Sequence, residues 1–169
     1  MQRKRPAILK VVLYILFLIL VYVIETANMP LSIFGFRVDL LPCIPAAIAL
    51  MEGPLFGGAF GLLTGILYDV GFIGIDGLFP LYYMLFGLAA GALSMRFLRR
   101  MFPSMLLLNT CGMLVLNLFR YGIVVLLMGG TSFPLAFQSM CGEILVTVAL
   151  SPIIYLPVRT IARRFDRML

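Results

Sequence analysis

Long apolar stretches separated by short turns dominate this chain. Six stretches predict membrane-crossing segments at about residues 7–24, 38–51, 54–73, 78–97, 104–128 and 133–158. A crossing helix needs about 20 predominantly apolar residues. The second stretch is shorter and contains Pro42 and Pro45, so we expect it to be bent or partly unwound and shielded by its neighbours. The pattern predicts an all-α, polytopic membrane protein, a six-transmembrane-helix bundle forming one domain.

Glycine recurs at every fourth position in the third stretch, and a second pair with the same spacing lies in the fourth. In lipid, small residues four apart let two helices approach backbone to backbone. We therefore expect an antiparallel hairpin with both glycine rows inside it and the third stretch as the central packing helix. The predicted helix-packing residues are Gly53, Gly57, Gly61, Gly65, Gly87 and Gly91.

The composition is 63% hydrophobic and only 12% charged, far from a soluble domain, in which about a quarter of residues are charged. Basic residues gather near the ends of the stretches, which indicates anionic lipids and topology control rather than nucleic acid. With both termini cytoplasmic, the basic side has Arg3, Lys4, Arg5, Lys10, Arg96, Arg99, Arg100, Arg159, Arg163, Arg164 and Arg167. Arg37 alone then lies on the outer side of the membrane. We expect the first stretch to be a membrane-crossing helix rather than a cleaved signal peptide.

Four polar side chains fall within the predicted spans: Asp69, Arg120, Glu143 and Asn117. A charge in this position needs a partner or a wet cavity. Arg120 and Glu143 lie at similar depth in adjacent antiparallel helices, so we expect them to pair; an Asp69–Arg120 pair is the alternative. These charges either fix helix register or form an outward-facing proton or substrate site.

The chain has no histidine, which excludes catalytic arrangements that depend on one. Its cysteines, Cys43, Cys111 and Cys141, lack metal-binding spacing, so we interpret them as small buried apolar residues. The sequence predicts no enzyme activity, no metal and no cofactor.

Two regions outside the predicted spans have open interpretations. In the basic tail, residues 159–169, the arginines occupy one helical face and apolar residues the other. This is typical of an interfacial helix on an anionic leaflet, of a topology signal, or of a surface for an acidic cytoplasmic partner. The apolar loop at residues 29–36 either lies among the lipid headgroups or docks an extracytoplasmic partner.

One stretch of about 60 residues resembles the rod shape-determining protein MreD family. The resemblance is carried by Arg37-Val38-Asp39-Leu40-Leu41, then by the row Gly57, Gly61, Gly65 ending in Ile66-Leu67-Tyr68-Asp69, then by Gly77-Leu78-Phe79-Pro80-Leu81 and the pair Gly87 and Gly91. Val38 departs from the proline usual in the family before the first acid. Asp39 and Asp69 match the family's acids, and Gly57, Gly61 and Gly65 match its packing row.

The resemblance implies a non-enzymatic membrane subunit of the bacterial cell-elongation machinery in the cytoplasmic (inner) membrane. Its implied partners are an MreC-like bitopic membrane protein and, through it, MreB filaments and cell-wall synthases. The family is also similar in architecture to the substrate-binding subunits of energy-coupling-factor transporters. The alternative function is therefore a substrate-binding membrane subunit of a vitamin-type transporter.

Overall fold

The computed structural model describes residues 4–27, 32–33, 36–37, 39–71, 77–97, 101–128 and 133–166. Side chains are described for residues 8–27, 39–70, 77–97, 101–119, 122 and 141–165. The loop predicted at residues 29–36 falls mostly outside this part of the chain.

The described chain forms six helices and two very short strands. The helices are α1 (Lys4–Ala27), α2 (Cys43–Glu52), α3 (Pro54–Gly71), α4 (Leu78–Arg96), α5 (Phe102–Met128) and α6 (Phe133–Asp166). Between α1 and α2, β1 (Ser32–Ile33) pairs with β2 (Phe36–Arg37) in an antiparallel register that joins Ser32 to Arg37. The strands are an addition to the expected all-α architecture.

Four helical segments of the described chain are long and apolar enough to cross a membrane: Ile8–Ala27, Leu78–Arg96, Phe102–Phe119 and Cys141–Phe165. The outward side of α1 is almost wholly apolar and exposed, with Leu16 at 60% and Val23 at 53% accessibility. A continuous apolar surface on helices of this length is typical of contact with lipid. Exposed apolar residues on α3, α4, α5 and α6 extend the same surface around the bundle.

The centre of the bundle is α2, not α3 as the glycine pattern predicted. Every residue from Cys43 to Met51 is buried, and α2 contacts α3, α4, α5 and α6. A helix that is apolar all round belongs in such a position. In contrast, α3 exposes one face, on which Leu55 is 82% accessible.

The prolines of the second stretch lie at the beginning of α2. Pro42 is its N-cap residue and Pro45 lies in the first turn, where a missing amide proton costs no intrahelical hydrogen bond. Residues 39–42 before it are not helical. The ten residues of α2 rise only about 15 Å, half of the ~30 Å hydrocarbon core.

Helices α3 and α4 form the most extensively packed pair, with glycine rows facing each other. A β-carbon on Gly61 would collide with the carbonyl group of Tyr83, 2.7 Å from its carbon, and one on Gly65 would lie 2.7 Å from the carbonyl oxygen of Phe79. Gly57, Gly87 and Gly91 meet backbone atoms across the same interface. These contacts are with main chain, which cannot move aside as a side chain can.

Gly53 lies against α4, as its spacing predicted, but between α2 and α3 rather than inside a helix. A β-carbon on Gly91 would lie 2.7 Å from the carbonyl carbon of Gly53. Its φ of 95° is in the left-handed region that favours glycine. Its amide donates to the carbonyl of Ala49, which ends α2, and its own carbonyl accepts the amide of Gly57, each over 3.0 Å.

The basic tail continues α6 rather than forming a separate helix in the membrane interface. Helix α6 runs unbroken to Asp166 through Pro152 and Pro157. Val158, Ala162 and Phe165 are buried against the bundle, while Arg163 and Arg164 are exposed. In the described part of the tail the apolar face therefore packs on protein. This differs from the first of the three interpretations, an interfacial helix whose apolar face lies on lipid; the topology signal and the surface for an acidic partner stay predictions.

The cysteines are not uniformly buried. Cys43 is fully buried in α2, whereas Cys111 and Cys141 are exposed on α5 and α6. The interpretation as buried small residues therefore holds for Cys43 and is wrong for the other two.

Candidate functional site

A buried network around Asp39 joins α1, α3 and α6 to the segment that leads into α2; its members are Glu25, Asp39, Tyr68 and Thr147. The hydroxyl of Tyr68 donates to Asp39 Oδ2 over 2.8 Å. The backbone amide of Asp39 donates to Thr147 Oγ1 over 3.3 Å, and the amide of Leu40 donates to Glu25 Oε1 over 3.0 Å. We call this set the Asp39 network.

The Asp39 network exists because the chain is not helical at residues 39–42. Buried amide groups outside regular structure must find partners within the protein, because an unpaired buried polar group costs free energy. Glu25 and Thr147 accept two of these amide protons. Asp39, 7% accessible, is in turn stabilised by Tyr68. The polar side chains therefore stabilise the unwound backbone before the central helix.

A second polar cluster anchors the other end of α2. Glu52, its last residue, forms a salt bridge with Lys10 of α1 at 2.7 Å, and Tyr14 of α1 donates to the same carboxylate over 2.9 Å. Both charged side chains are nearly buried, at 8% and 12% accessibility for Lys10 and Glu52. Together with the Glu25 contact to Leu40, this pair fixes α1 antiparallel to α2.

Two asparagines of α5 face the interior. Asn109 donates through Nδ2 to the Cys43 sulfur at 3.0 Å. Asn117, fully buried two turns further along, has no hydrogen-bond partner for either amide atom within the described residues. A buried amide without partners costs free energy of folding. An apolar residue at position 117 would avoid this cost, so the amide of Asn117 calls for an explanation.

Asp69 does not lie in the interior as expected. Its Oδ2 accepts the backbone amide of Gly77 over 2.6 Å, in an exposed position. Gly77 precedes α4 with a left-handed φ of 88°. Asp69 therefore holds the end of α3 to the beginning of α4. The Asp69–Arg120 alternative stays a prediction, because the side chain of Arg120 lies outside the described residues.

Glu143 is buried on α6, at 8% accessibility. It shares a helical face with Thr147 and Ser151, four and eight residues further, both fully buried. The side chain of Arg120 lies outside the described residues, so the Arg120–Glu143 pair stays a prediction.

The basic residues end up in different environments. Arg96 is exposed in the last turn of α4, and Arg159 lies 5.6 Å from the ring centre of Tyr155 on α6. The side chains of Arg37, Arg99, Arg100 and Arg167 are outside the described part of the chain.

An apolar groove runs along the surface between α4 and α5; it is the α4–α5 groove. Two adjoining cavities of about 220 and 470 Å³ form it, and both are lined by Tyr82, Leu85 and Phe119. The lining includes the small residues Ala89, Ala90 and Gly112. The groove is suited to hydrocarbon and offers almost nothing to a polar ligand.

No group of three or more histidine, cysteine, aspartate or glutamate side chains within the described residues could hold a metal ion. Comparisons of the chain with models of known protein families, with curated proteins and with solved structures found no match.

The sequence interpretation missed most of the polar contacts that position α2. The sequence indicates only a topology role for Lys10 and no role for Glu25, Glu52 or Thr147, and it places Tyr68 in a motif without indicating its contact. A usable signal exists for Lys10, since it lies inside an apolar helical run rather than before it. Its partner is 42 residues away, which no local pattern indicates.

Proposed function

We propose that this protein is a non-enzymatic membrane scaffold subunit of the bacterial cell-elongation machinery, supporting rod shape and peptidoglycan synthesis. It crosses the cytoplasmic membrane with six segments, the half-length α2 and the leading residues 39–42 together forming one of them. Both termini are cytoplasmic. Its direct partner is an MreC-like bitopic membrane protein, through which it reaches MreB filaments and the wall synthases.

The observation that carries the proposal is the meeting of the two features behind the family resemblance. Tyr68 belongs to the helix with the glycine row, and its hydroxyl holds Asp39. The ring of Tyr68 lies 4.8 Å from that of Phe79 on α4. The motif residues therefore join α3 and α4 to the segment that leads into α2, which supports a protein that positions others.

Depletion and rescue in the native rod-shaped host test the proposal. Depletion is expected to turn rods into spheres, and wild-type protein or the Ala59→Leu variant is expected to restore them, because Ala59 is exposed on α3. The tagged protein should also co-purify an MreC-like protein in mild detergent. Unchanged cell shape after depletion contradicts the proposal.

A substrate-binding subunit of a vitamin-type transporter is the second candidate. Asn117 favours it, since a buried amide with no partner in the described part of the chain is available to a polar ligand. Such a subunit should retain a small molecule through purification. Mass spectrometry of the denatured wild-type protein detects such a molecule. The Asn117→Leu variant is expected to lose it. A wild-type preparation without any ligand rejects this candidate.

A further inference from the structure

The α4–α5 groove is a built feature rather than a gap left by poor packing. The Tyr82 hydroxyl donates to the Gly112 carbonyl, and a β-carbon on Gly112 would collide with the ring of Phe86. The rings of Tyr82 and Phe86 are parallel, with centres 6.2 Å apart, and Phe119 lies 6.4 Å from Tyr82. The contacts of Tyr82 and Phe86 with α5 therefore hold the two helices together beside the groove.

The length and lining of the groove suit a lipid acyl chain. Its lining on α4 runs from Leu78 to Leu93, a rise of about 22 Å. Half of the hydrocarbon core of a bilayer is about 15 Å thick. An acyl chain that reaches in from one leaflet therefore lies within the length of the groove. The lining is apolar almost throughout, and a hydrocarbon chain needs no hydrogen-bonding partner there.

Positive charge marks one end of the groove. Arg96 is exposed one turn beyond Leu93, the last α4 residue of the lining, and forms no salt bridge with any described residue. The sequence places two more arginines, Arg99 and Arg100, between α4 and α5. Basic residues beside a crevice between membrane helices are a typical site for anionic lipid headgroups. Arginine is also well suited to bind phosphate.

We propose that the α4–α5 groove binds an anionic phospholipid, with one acyl chain between Leu85 and Cys111 and the phosphate on Arg96. This site is independent of the proposed scaffold function, because it needs no protein partner. The apolar lining binds the acyl chain, and Arg96 favours a negatively charged headgroup over a neutral one.

Native mass spectrometry of the purified full-length protein tests the site. The protein is mixed in neutral detergent with phosphatidylglycerol or with phosphatidylcholine of the same acyl chains. We expect phosphatidylglycerol to be retained about fivefold better, and Arg96→Gln to remove that preference. Arg163→Gln, an exposed arginine on α6, is the charge-matched control and should keep it.

A second variant tests the groove itself. Ala89→Phe fills the groove from an exposed position of its lining and should lower retention of both lipids, while Ala59→Phe on the exposed face of α3 should not. Cys111 lines the groove and Cys141 does not, so bound phosphatidylglycerol should slow maleimide labelling of Cys111 relative to Cys141.

Three results overturn the proposal. The first is equal retention of the two lipids, and the second is retention that Arg96→Gln leaves unchanged. The third is a membrane protein that co-purifies with the wild type and is lost in Ala89→Phe, while this variant retains lipid as the wild type does. The occupant of the groove is then a partner helix. Arg96 is exposed, so Arg96→Gln is expected to fold. This variant still tests the proposal if Ala89→Phe fails to fold.

Discussion

The α3–α4 and α1–α2 interfaces hold their helices together by opposite means. Between α3 and α4 the side chains are missing, and backbone meets backbone along the glycine rows. Between α1 and α2 charged and polar side chains form the contact at both ends of α2, through Lys10 with Glu52 and through Glu25 with the amide of Leu40. The first interface should fail when atoms are added, and the second when atoms are removed.

Adding atoms to the α3–α4 interface should give the largest effect. Gly61→Leu puts a side chain against the Tyr83 carbonyl group, and overpacking of this kind against backbone costs about 3 kcal/mol or more. We expect the variant to lose folded, monodisperse protein on size-exclusion chromatography in mild detergent. Ala59→Leu, on the exposed face of the same helix, should elute like wild type; equal behaviour of the two variants contradicts the backbone contact.

Removing one charge from the α1–α2 interface should come next. Lys10→Met leaves the Glu52 carboxylate nearly buried without its cation and should lower the free energy of unfolding by about 3 kcal/mol. Glu52→Gln should also destabilise the protein, and the double variant should lose less than the sum of the two. A double-mutant cycle from thermal or denaturant unfolding measures this coupling, and a coupling energy of zero excludes a stabilising pair.

Removing a single hydroxyl from the Asp39 network should have a smaller effect. Tyr68→Phe keeps the ring contacts with Phe79 and Tyr83 but loses the hydrogen bond to Asp39, which contributes about 1.5–3 kcal/mol when one partner is charged. Tyr22→Phe is the control, because that hydroxyl forms no hydrogen bond within the described residues. A loss of the same size in both variants shows that the Asp39 contact contributes nothing specific.

The turn between α3 and α4 should be the least sensitive position. Asp69→Asn keeps an oxygen that accepts the Gly77 amide but removes the negative charge near the beginning of α4. An exposed contact of this kind contributes about 0.5 kcal/mol. Unfolding experiments should show a loss near that value, and a loss above about 2 kcal/mol contradicts an exposed structural role for Asp69.

The α3–α4 interface could be predicted from the sequence because its signal is local. Residues four apart in a helix share a face, so the row Gly57, Gly61 and Gly65 predicts a close contact whatever the partner is. Gly53 shows the limit of this reasoning, since it has the same spacing but lies between α2 and α3, with a left-handed φ that the spacing does not indicate.

The central position of α2 could not be predicted in the same way. Its stretch is short and proline-containing, which indicates shielding but not which helices provide it. The contacts that position it join residues 15, 42 and 108 positions apart, and each side chain alone is interpreted as an ordinary helix-end charge or a core hydroxyl. Contacts between residues this far apart produce no periodic pattern in the sequence.

The contact between Asp39 and Thr147 has a consequence for biogenesis. The non-helical segment before α2 is synthesised early, but the hydroxyl that accepts its amide proton belongs to α6, which is synthesised after the other five described helices. The amide of Asp39 therefore has to wait for more than 100 further residues before this acceptor exists. A nascent chain arrested before residue 147 lacks the acceptor, even when α1 to α5 are complete.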